Sequence, residues 1–274
     1  MTKASGPRAF VTAMGPALRQ AAAIARALEG RVLNRPKKGE RSAIKAALTA
    51  PDTASQEALL VRLLDSFPDV MLEAEENTPT VRRFRARGSG LVVVDPIDGT
   101  LRSYLRGVGP YSVLVGLARR RRFEAALVAL PRENLFFDAV LGGGARIARG
   151  GERARVARPA RGARKVFVSH TVPEAVCRLL RRRGYEPVQA SGGAIAVAPL
   201  VPGVCAGLRL ARGRKGISKR GRVGLLVARE AGLLVQGRGK APFPEALDTR
   251  ANVLRVAANE KDLAVLEEAL ARID

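Results

Sequence analysis

Residues 91–103 read LVVVDPIDGTLRS, and this stretch decides the fold. Leu91 to Val94 form a short apolar run rich in β-branched residues, the pattern of a buried strand. Pro96 and Gly99 interrupt such runs. The reading is therefore a strand over about 91–95 that leaves Asp95 and Asp98 at its carboxyl end, where open α/β sheets place their chemistry. Two carboxylates held so close repel each other unless a positive charge lies between them. A hard divalent cation such as Mg2+ meets that need, because it takes oxygen ligands and keeps waters. Taken alone, Asp-Pro-Ile-Asp reads equally well as a strand leaving through an Asp-Pro turn.

Upstream, apolar residues at helical spacing (Leu18, Ala21, Ala22, Ala25, Leu28) predict a helix over about 11–29 that stops at Gly30. The polar RPKKGERS that follows reads as a mobile loop. A second helix is expected over about 54–66, its start signalled by Thr53 with Gln56 three residues on, a capping-box spacing. That places Asp52 just before a helix N-terminus. Glu75 and Glu76 follow an apolar run about twenty residues before Asp95. Carboxylates on a helix start, a strand exit and a turn can converge on metal ions in space.

Downstream, strands are expected over about 111–118, 123–130 and 135–140, besides one over 69–73. Arg119 to Arg122 lies between two of them and reads as a solvated hairpin turn. The Arg- and Gly-rich segment 148–164 is the linker candidate, dividing the chain into an N-terminal half, 1–147, and a C-terminal half, 148–274. The second half shows a strand over 166–170, then helices over about 173–183, 193–202 and 222–231, a smaller α/β unit.

The chain has 274 residues, enough for one large domain or two smaller ones with a real core. No apolar run approaches the ~18 residues of a membrane span, and no charged-then-apolar leader opens the sequence. Cys177 and Cys205 make neither a disulfide framework nor a C-x-x-C pair. The expectation is a soluble cytoplasmic protein.

The net charge is +23; of 48 basic residues nine are lysine, leaving 39 arginine. Such a chain attracts polyanions. However, only 4% of residues are aromatic and none is Trp, so no stacking platform for single strands or RNA is visible. Specific nucleic-acid binding is not expected, whereas non-specific adhesion at low salt is.

The motifs together resemble one family. "AEE" at 74–76, "DPIDGT" at 95–100, "PYSVLVGLA…FEAALVALPRENLFFDAVLGGGA" and "VAREAG" at 227–232 resemble, in this order, the inositol monophosphatase family of Mg2+-dependent sugar-phosphate phosphatases. The resemblance covers roughly residues 10–235. It implies a layered αβαβα sandwich of α/β (α+β) class, commonly a homodimer, with the metals in the first half and substrate contacts in the second. It also implies roles by position. Glu75, Asp95, Asp98 and the carbonyl of Ile97 would be Mg2+ ligands, while Thr100 and Asp52 would orient the attacking water. Ions about 3.5–4 Å apart can lower the pKa of that water and hold both oxygens of an in-line displacement. The Gly99 and Thr100 N–H groups would face the phosphate, and Ser191-Gly192 matches a substrate-contacting turn. His170 is then structural or peripheral.

One departure stands out. The family carries a Trp-Asp pair about ten residues before "EAG", and counting back from Glu230 it falls on Lys219-Arg220. No Asp or Glu occurs from Pro187 to Arg229, while eight basic residues do. Nor is there a glutamate to hold an inositol hydroxyl. Three readings stay open: Lys219 or Arg220 stands where a second metal would be and contacts phosphate; the site has lost turnover and binds a phosphorylated ligand or partner; or a carboxylate from elsewhere fills the gap. The cationic stretch favours a small phosphorylated metabolite of higher charge, such as a bisphosphorylated nucleotide or sugar, over inositol monophosphate.

Overall fold

The structure, a computed structural model, describes residues 6–40, 42–149, 152–155, 162–213 and 215–271. Helix α1 spans Pro7–Leu28, with Pro7 in its first turn, where a missing N–H costs nothing. Its apolar stripe buries Phe10, Met14, Leu18, Ala21 and Ala25. A short α2, Ala43–Ala46, not expected from the sequence, precedes α3, Ala50–Ser66. The loop before α2 is tied down by Arg35 and Lys37, whose N–H groups donate to the carbonyls of Leu48 and Ala46.

The expected cap of α3 is displaced. Thr49 is the N-cap residue, and its N–H donates to Asp52 Oδ2 at 2.7 Å. Thr53 lies inside the first turn instead and donates to the Ala50 carbonyl at 2.9 Å. Pro51, with its fixed φ, suits the first helical turn. The helix therefore starts upstream of it and takes Asp52 inside.

The first sheet has seven strands in sequence order: β1 (Met71–Glu73), β2 (Leu91–Asp98), β3 (Ser112–Arg119), β4 (Arg122–Leu130), β5 (Leu135–Val140), β6 (Gly144–Arg149) and β7 (Glu152–Arg155). Only β1 and β2 pair in parallel. β2 runs three residues beyond its expected end. Pro96 is tolerated there because the register shifts between Asp95 and Asp98, as proline requires within a sheet. The β3–β4 turn puts both Arg120 and Arg121 at positive φ, 47° and 63°, the geometry that matches hairpin twist. The linker expected over 148–164 begins as the β6–β7 pair; its residues 150, 151 and 156–161 lie outside the described ones.

The second sheet, in order β11-β12-β10-β8-β9, is built from β8 (Lys165–Val168), β9 (Glu186–Gln189), β10 (Val204–Leu210), β11 (Leu234–Gln236) and β12 (Val253–Ala257). With it come α4 (Glu174–Arg182), α5 (Gly192–Ala196), α6 (Val223–Glu230) and α7 (Glu260–Leu270). The helix expected over 193–202 is broken: α5 ends at Ala196 and a 3₁₀ turn, Ala198–Leu200, follows. Pro199 has no N–H to continue the ladder.

Three apolar cores order the layers. α1 and α3 bury Phe10, Leu18, Leu59 and Leu63 against Val92, Val94 and Val115 of the first sheet. The opposite face of that sheet, through Val93, Leu114 and Phe137, meets α5, α6 and the inner face of the second sheet at Phe167, Leu254 and Val256. α4 and α7 close the far side on Val166, Val168 and Leu208. This is the layered αβαβα sandwich. A polar contact reinforces the central layer, where Glu230 at the end of α6 accepts the N–H groups of Gly142 and Gly144, both at 2.8 Å.

Candidate active site

The register shift in β2 brings Asp95, Ile97 and Asp98 out beside Gly99 and Thr100. Gly99 takes φ 98°, and a Cβ there would lie 2.9 Å from Ser191 Cβ. Only glycine allows the chain to turn so close to the second half. Asp52 is fully buried, and its Oδ1 accepts from Thr100 Oγ1 at 3.0 Å. Thr100 Oγ1 also lies 2.9 Å from the Ile97 carbonyl. Burial raises the Asp52 carboxyl from its ordinary 3.8 to about 6, against the opposing pull of hydrogen bonds from Thr49 and Thr100.

Asp95 is 5% exposed, and its Oδ1 is buried with no hydrogen-bond partner. Burial, then the like charges of Glu75 and Asp98, push its carboxyl well above the ordinary range; Arg220 pulls the other way. Asp98 Oδ2 accepts the Gly193 N–H at 2.5 Å and the Ser112 hydroxyl at 3.1 Å. Ser112 Oγ in turn lies 2.9 Å from Ser191 Oγ, so Asp98 and Ser191 belong to one network joining the two halves. Glu76, beside Glu75, is taken by Lys37 at 2.7 Å, and its backbone is fixed by Gln56.

The two basic residues at the position of the missing carboxylate separate. Lys219 Nζ reaches Glu73 at 2.7 Å. Arg220 turns inward, its Nε 3.7 Å from Asp95 Oδ2 and one terminal nitrogen 3.8 Å from Glu75 Oε1. The structure thus gathers Asp52, Glu75, Asp95, Ile97, Asp98, Gly99, Thr100, Ser191 and Arg220 around one place, with Gly192 next to it. Lys219 stands outside on Glu73.

The inositol monophosphatase family profile matches residues 9–192, more than half of the chain. The chain belongs to the inositol monophosphatase family. A curated relative, described as the Nus factor SuhB of Pasteurella multocida, is 33% identical over 101 residues; the match spans 36% of this chain and 36% of that protein's length. Among solved structures, the IMPase of Thermotoga maritima superposes with a TM-score of 0.72 at 20% identity, covering 94% of this chain and 97% of that one. A staphylococcal IMPase-I complexed with products gives 0.70 at 15% identity, covering 96% and 95%. SuhB of Mycobacterium tuberculosis gives 0.64 at 20%, covering 97% and 98%. These structures show the shared fold.

The family is one of metal-dependent phosphatases, typically using Mg2+. The donor set here fits a hard cation: three carboxylates and a backbone carbonyl, with Asp95 Oδ1 buried and unpartnered. Among the described residues no three Asp, Glu, His or Cys side chains close on one point as a finished metal site. Mg2+ asks for less, being held by one or two carboxylates plus waters and substrate phosphate.

Several residues around the site carried no sequence signal. Lys37 sits in a polar loop and Ser112 in an otherwise apolar pattern, while Gln56, read from the sequence as part of a cap, holds the Glu76 backbone instead. Arg209 packs against two glycines: a Cβ on Gly192 would lie 1.9 Å from its guanidinium, and one on Gly221 2.3 Å. His170 is exposed at the end of β8, and its pKa is lowered by partial burial and by Arg102, Arg209 and Arg212. Arg102, Arg209 and Arg212 therefore surround His170, and of these Arg209 also borders Gly192 and Gly221. No helix among the described residues is long and apolar enough to cross a membrane.

Proposed function

We propose that the chain is a divalent-cation-dependent phosphomonoester hydrolase acting on a small phosphorylated metabolite that carries further negative charge. The observation that carries this reading is Asp95, buried with an unpartnered Oδ1 beside Glu75 and Asp98, next to the Asp52–Thr100 pair. A divalent cation bound there, with Glu75, Asp95, Asp98 and the Ile97 carbonyl as candidate ligands, would polarise the phosphoryl group and acidify a water. Thr100 Oγ1, held between Asp52 and Ile97, positions the water's proton, and Asp52 accepts it through that hydroxyl. A carboxyl raised to about 6 is ionised at neutral pH yet basic enough for the task. The Gly99 and Thr100 N–H groups are the candidate donors to phosphate oxygens, with Ser191 and Gly192 on the opposite wall.

The Arg209 guanidinium beside Gly192, with Arg102 and Arg212 nearby around His170, supports a substrate with a second anionic group. We further read the protein as a cytoplasmic homodimer; the two free, buried cysteines are in keeping with a reducing compartment. Arg220 on Asp95 and Glu75 favours a second reading, a protein that binds a phosphorylated ligand without turning it over.

Phosphate release from a panel of sugar, inositol and nucleotide mono- and bisphosphates separates the two. Release that needs Mg2+, stops with chelator and is absent in Asp95→Asn is the expected result. A wild type no faster than Asp95→Asn on any substrate refutes the hydrolase and leaves the binding protein.

A further inference from the structure

Asp95 lies within electrostatic reach of both Glu75 and Asp98, and the cation beside them belongs to the chain. Arg220 lies 3.7 Å from Asp95 and 3.8 Å from Glu75, its side chain 30% exposed. These separations are those of ion contacts rather than hydrogen bonds, so the attraction is electrostatic. The guanidinium stays charged under all ordinary conditions, and the same carboxylates raise its pKa further although burial opposes them.

Its position is clamped from both sides. On one side Lys219 is anchored on Glu73. On the other, Arg222 is 3% exposed and donates to the carbonyls of Ile217, Ala246 and Thr249 while lying over the Phe243 ring at 5.2 Å. Between them the Gly221 carbonyl accepts from Arg209 at 3.3 Å, and a Cβ on Gly221 would lie 2.3 Å from the same guanidinium. The backbone that carries Arg220 is therefore held in a packed turn that presents its side chain to the cluster.

Charge then limits what else the cluster takes. Three carboxylates against one guanidinium leave two negative charges, which one divalent ion neutralises. The geometry agrees, since Asp95 presents Oδ2 to Arg220 and keeps Oδ1 free. A second divalent ion would have to sit close to that positive charge, with none of these three carboxylates left over to offset it.

We propose that Arg220 is a built-in cation occupying one cation position of the Glu75–Asp95–Asp98 cluster, so that each chain binds a single divalent ion. The proposal rests on the cation-dependent reading of the site. It is tested without substrate, by counting Mn2+ bound to the full chain from the loss of the free-ion electron paramagnetic resonance signal. One ion per chain is expected for the wild type and for Arg220→Lys. Two are expected for Arg220→Asp, and Arg220→Gln should bind its first ion at least ~10-fold more tightly than wild type, because a nearby like charge is gone. Two ions in the wild type overturn the proposal, and do so while leaving the hydrolase reading intact if phosphate is released. No ion in the wild type overturns it as well, together with the hydrolase reading if phosphate release is also absent. One ion without phosphate release upholds the proposal and refutes the hydrolase. Should Arg220→Asp fail to fold, the wild-type count and the Arg220→Gln affinity still decide.

Discussion

Replacing Asp52 by Asn should change stability relative to wild type by an amount that shifts in the variant's favour as pH rises. Asp52 is fully buried, and its carboxyl titrates near 6 in the folded chain, against 3.8 ordinarily. A raised folded pKa means the fold prefers the protonated acid. Its contribution to stability is complete below pH 3.8, erodes between 3.8 and 6, and is gone above 6. The full span is about 3 kcal/mol, from a shift of roughly two pKa units at about 1.4 kcal/mol each. Between pH 5 and pH 8 the same two pKa values leave about 1.4 kcal/mol of it. Asn has no proton to lose, so its stability carries no such slope. The amide does set an N–H2 against the Thr49 N–H or give up the Thr100 contact, but that cost is the same at every pH and cancels in the comparison. The assay is urea unfolding of both proteins with chelator present, at pH 5, 6, 7 and 8. The expected result is a stability difference, Asn variant minus wild type, that rises by about 1.4 kcal/mol across the series, most steeply up to pH 6. A difference flat with pH would refute the reasoning, because the Asp52 charge would then not be buried at a cost. Phosphate release by the wild type should fall on the acid side of the same transition, since the protonated carboxyl no longer accepts a proton.

Two further substitutions probe the surroundings. Gly193→Ala would set a Cβ 2.3 Å from Ser112 Oγ and 2.7 Å from Leu114 Cδ2, loosening the N–H bond to Asp98. A loss of about 2–4 kcal/mol is expected in urea unfolding, from overpacking and the broken charged hydrogen bond, whereas Gly237→Ala, whose new Cβ meets nothing nearer than 3.8 Å, should change little. Lys219→Ala should cost less than ~1 kcal/mol, because the pair with Glu73 is more than a third exposed on both sides. Its Mn2+ count should match wild type, which separates the surface role of Lys219 from that of its neighbour.

The parts of the site legible in the sequence were those written as contiguous motif. Asp95 to Thr100 lie on one strand exit, so their proximity follows from local geometry. Even there, Pro96 read as a stop sits within β2, because a register shift removes the need for its N–H. The Arg120-Arg121 turn was legible as a turn, since four arginines between two apolar runs have nowhere to go but solvent. The cap of α3 was misplaced because two Thr-x-x-polar spacings, Thr49–Asp52 and Thr53–Gln56, compete, and Pro51 decides between them. What the sequence does not display is partnership across long separations. Lys37 with Glu76, Ser112 with Ser191 and Arg209 between Gly192 and Gly221 depend on how layers stack, and no local pattern encodes it.

The basic stretch 209–229 shows why a charge count misleads. Read along the chain, it is a block of eight cations with no acid between them. In the fold its members meet different chemistry. Arg222 is an interior residue whose three nitrogens each donate to a carbonyl, and burial, then the like charges of Arg229 and Arg209, lower its pKa against the pull of Asp248. Arg229 likewise donates to the Phe243 carbonyl. Arg220 is different in kind. Among the described residues its guanidinium makes no hydrogen bond, and it faces carboxylates at a distance that leaves its donors directed and unspent. A general drift toward arginine explains the number of these residues but not that division. Saturated guanidinium groups fix the turn, and the one they hold in place keeps donors for an oxygen that the chain itself does not supply. A phosphate oxygen, planar-forked by arginine as readily as any carboxylate, is the natural acceptor, and the same residue that excludes a second ion would then take over part of what that ion does for the substrate.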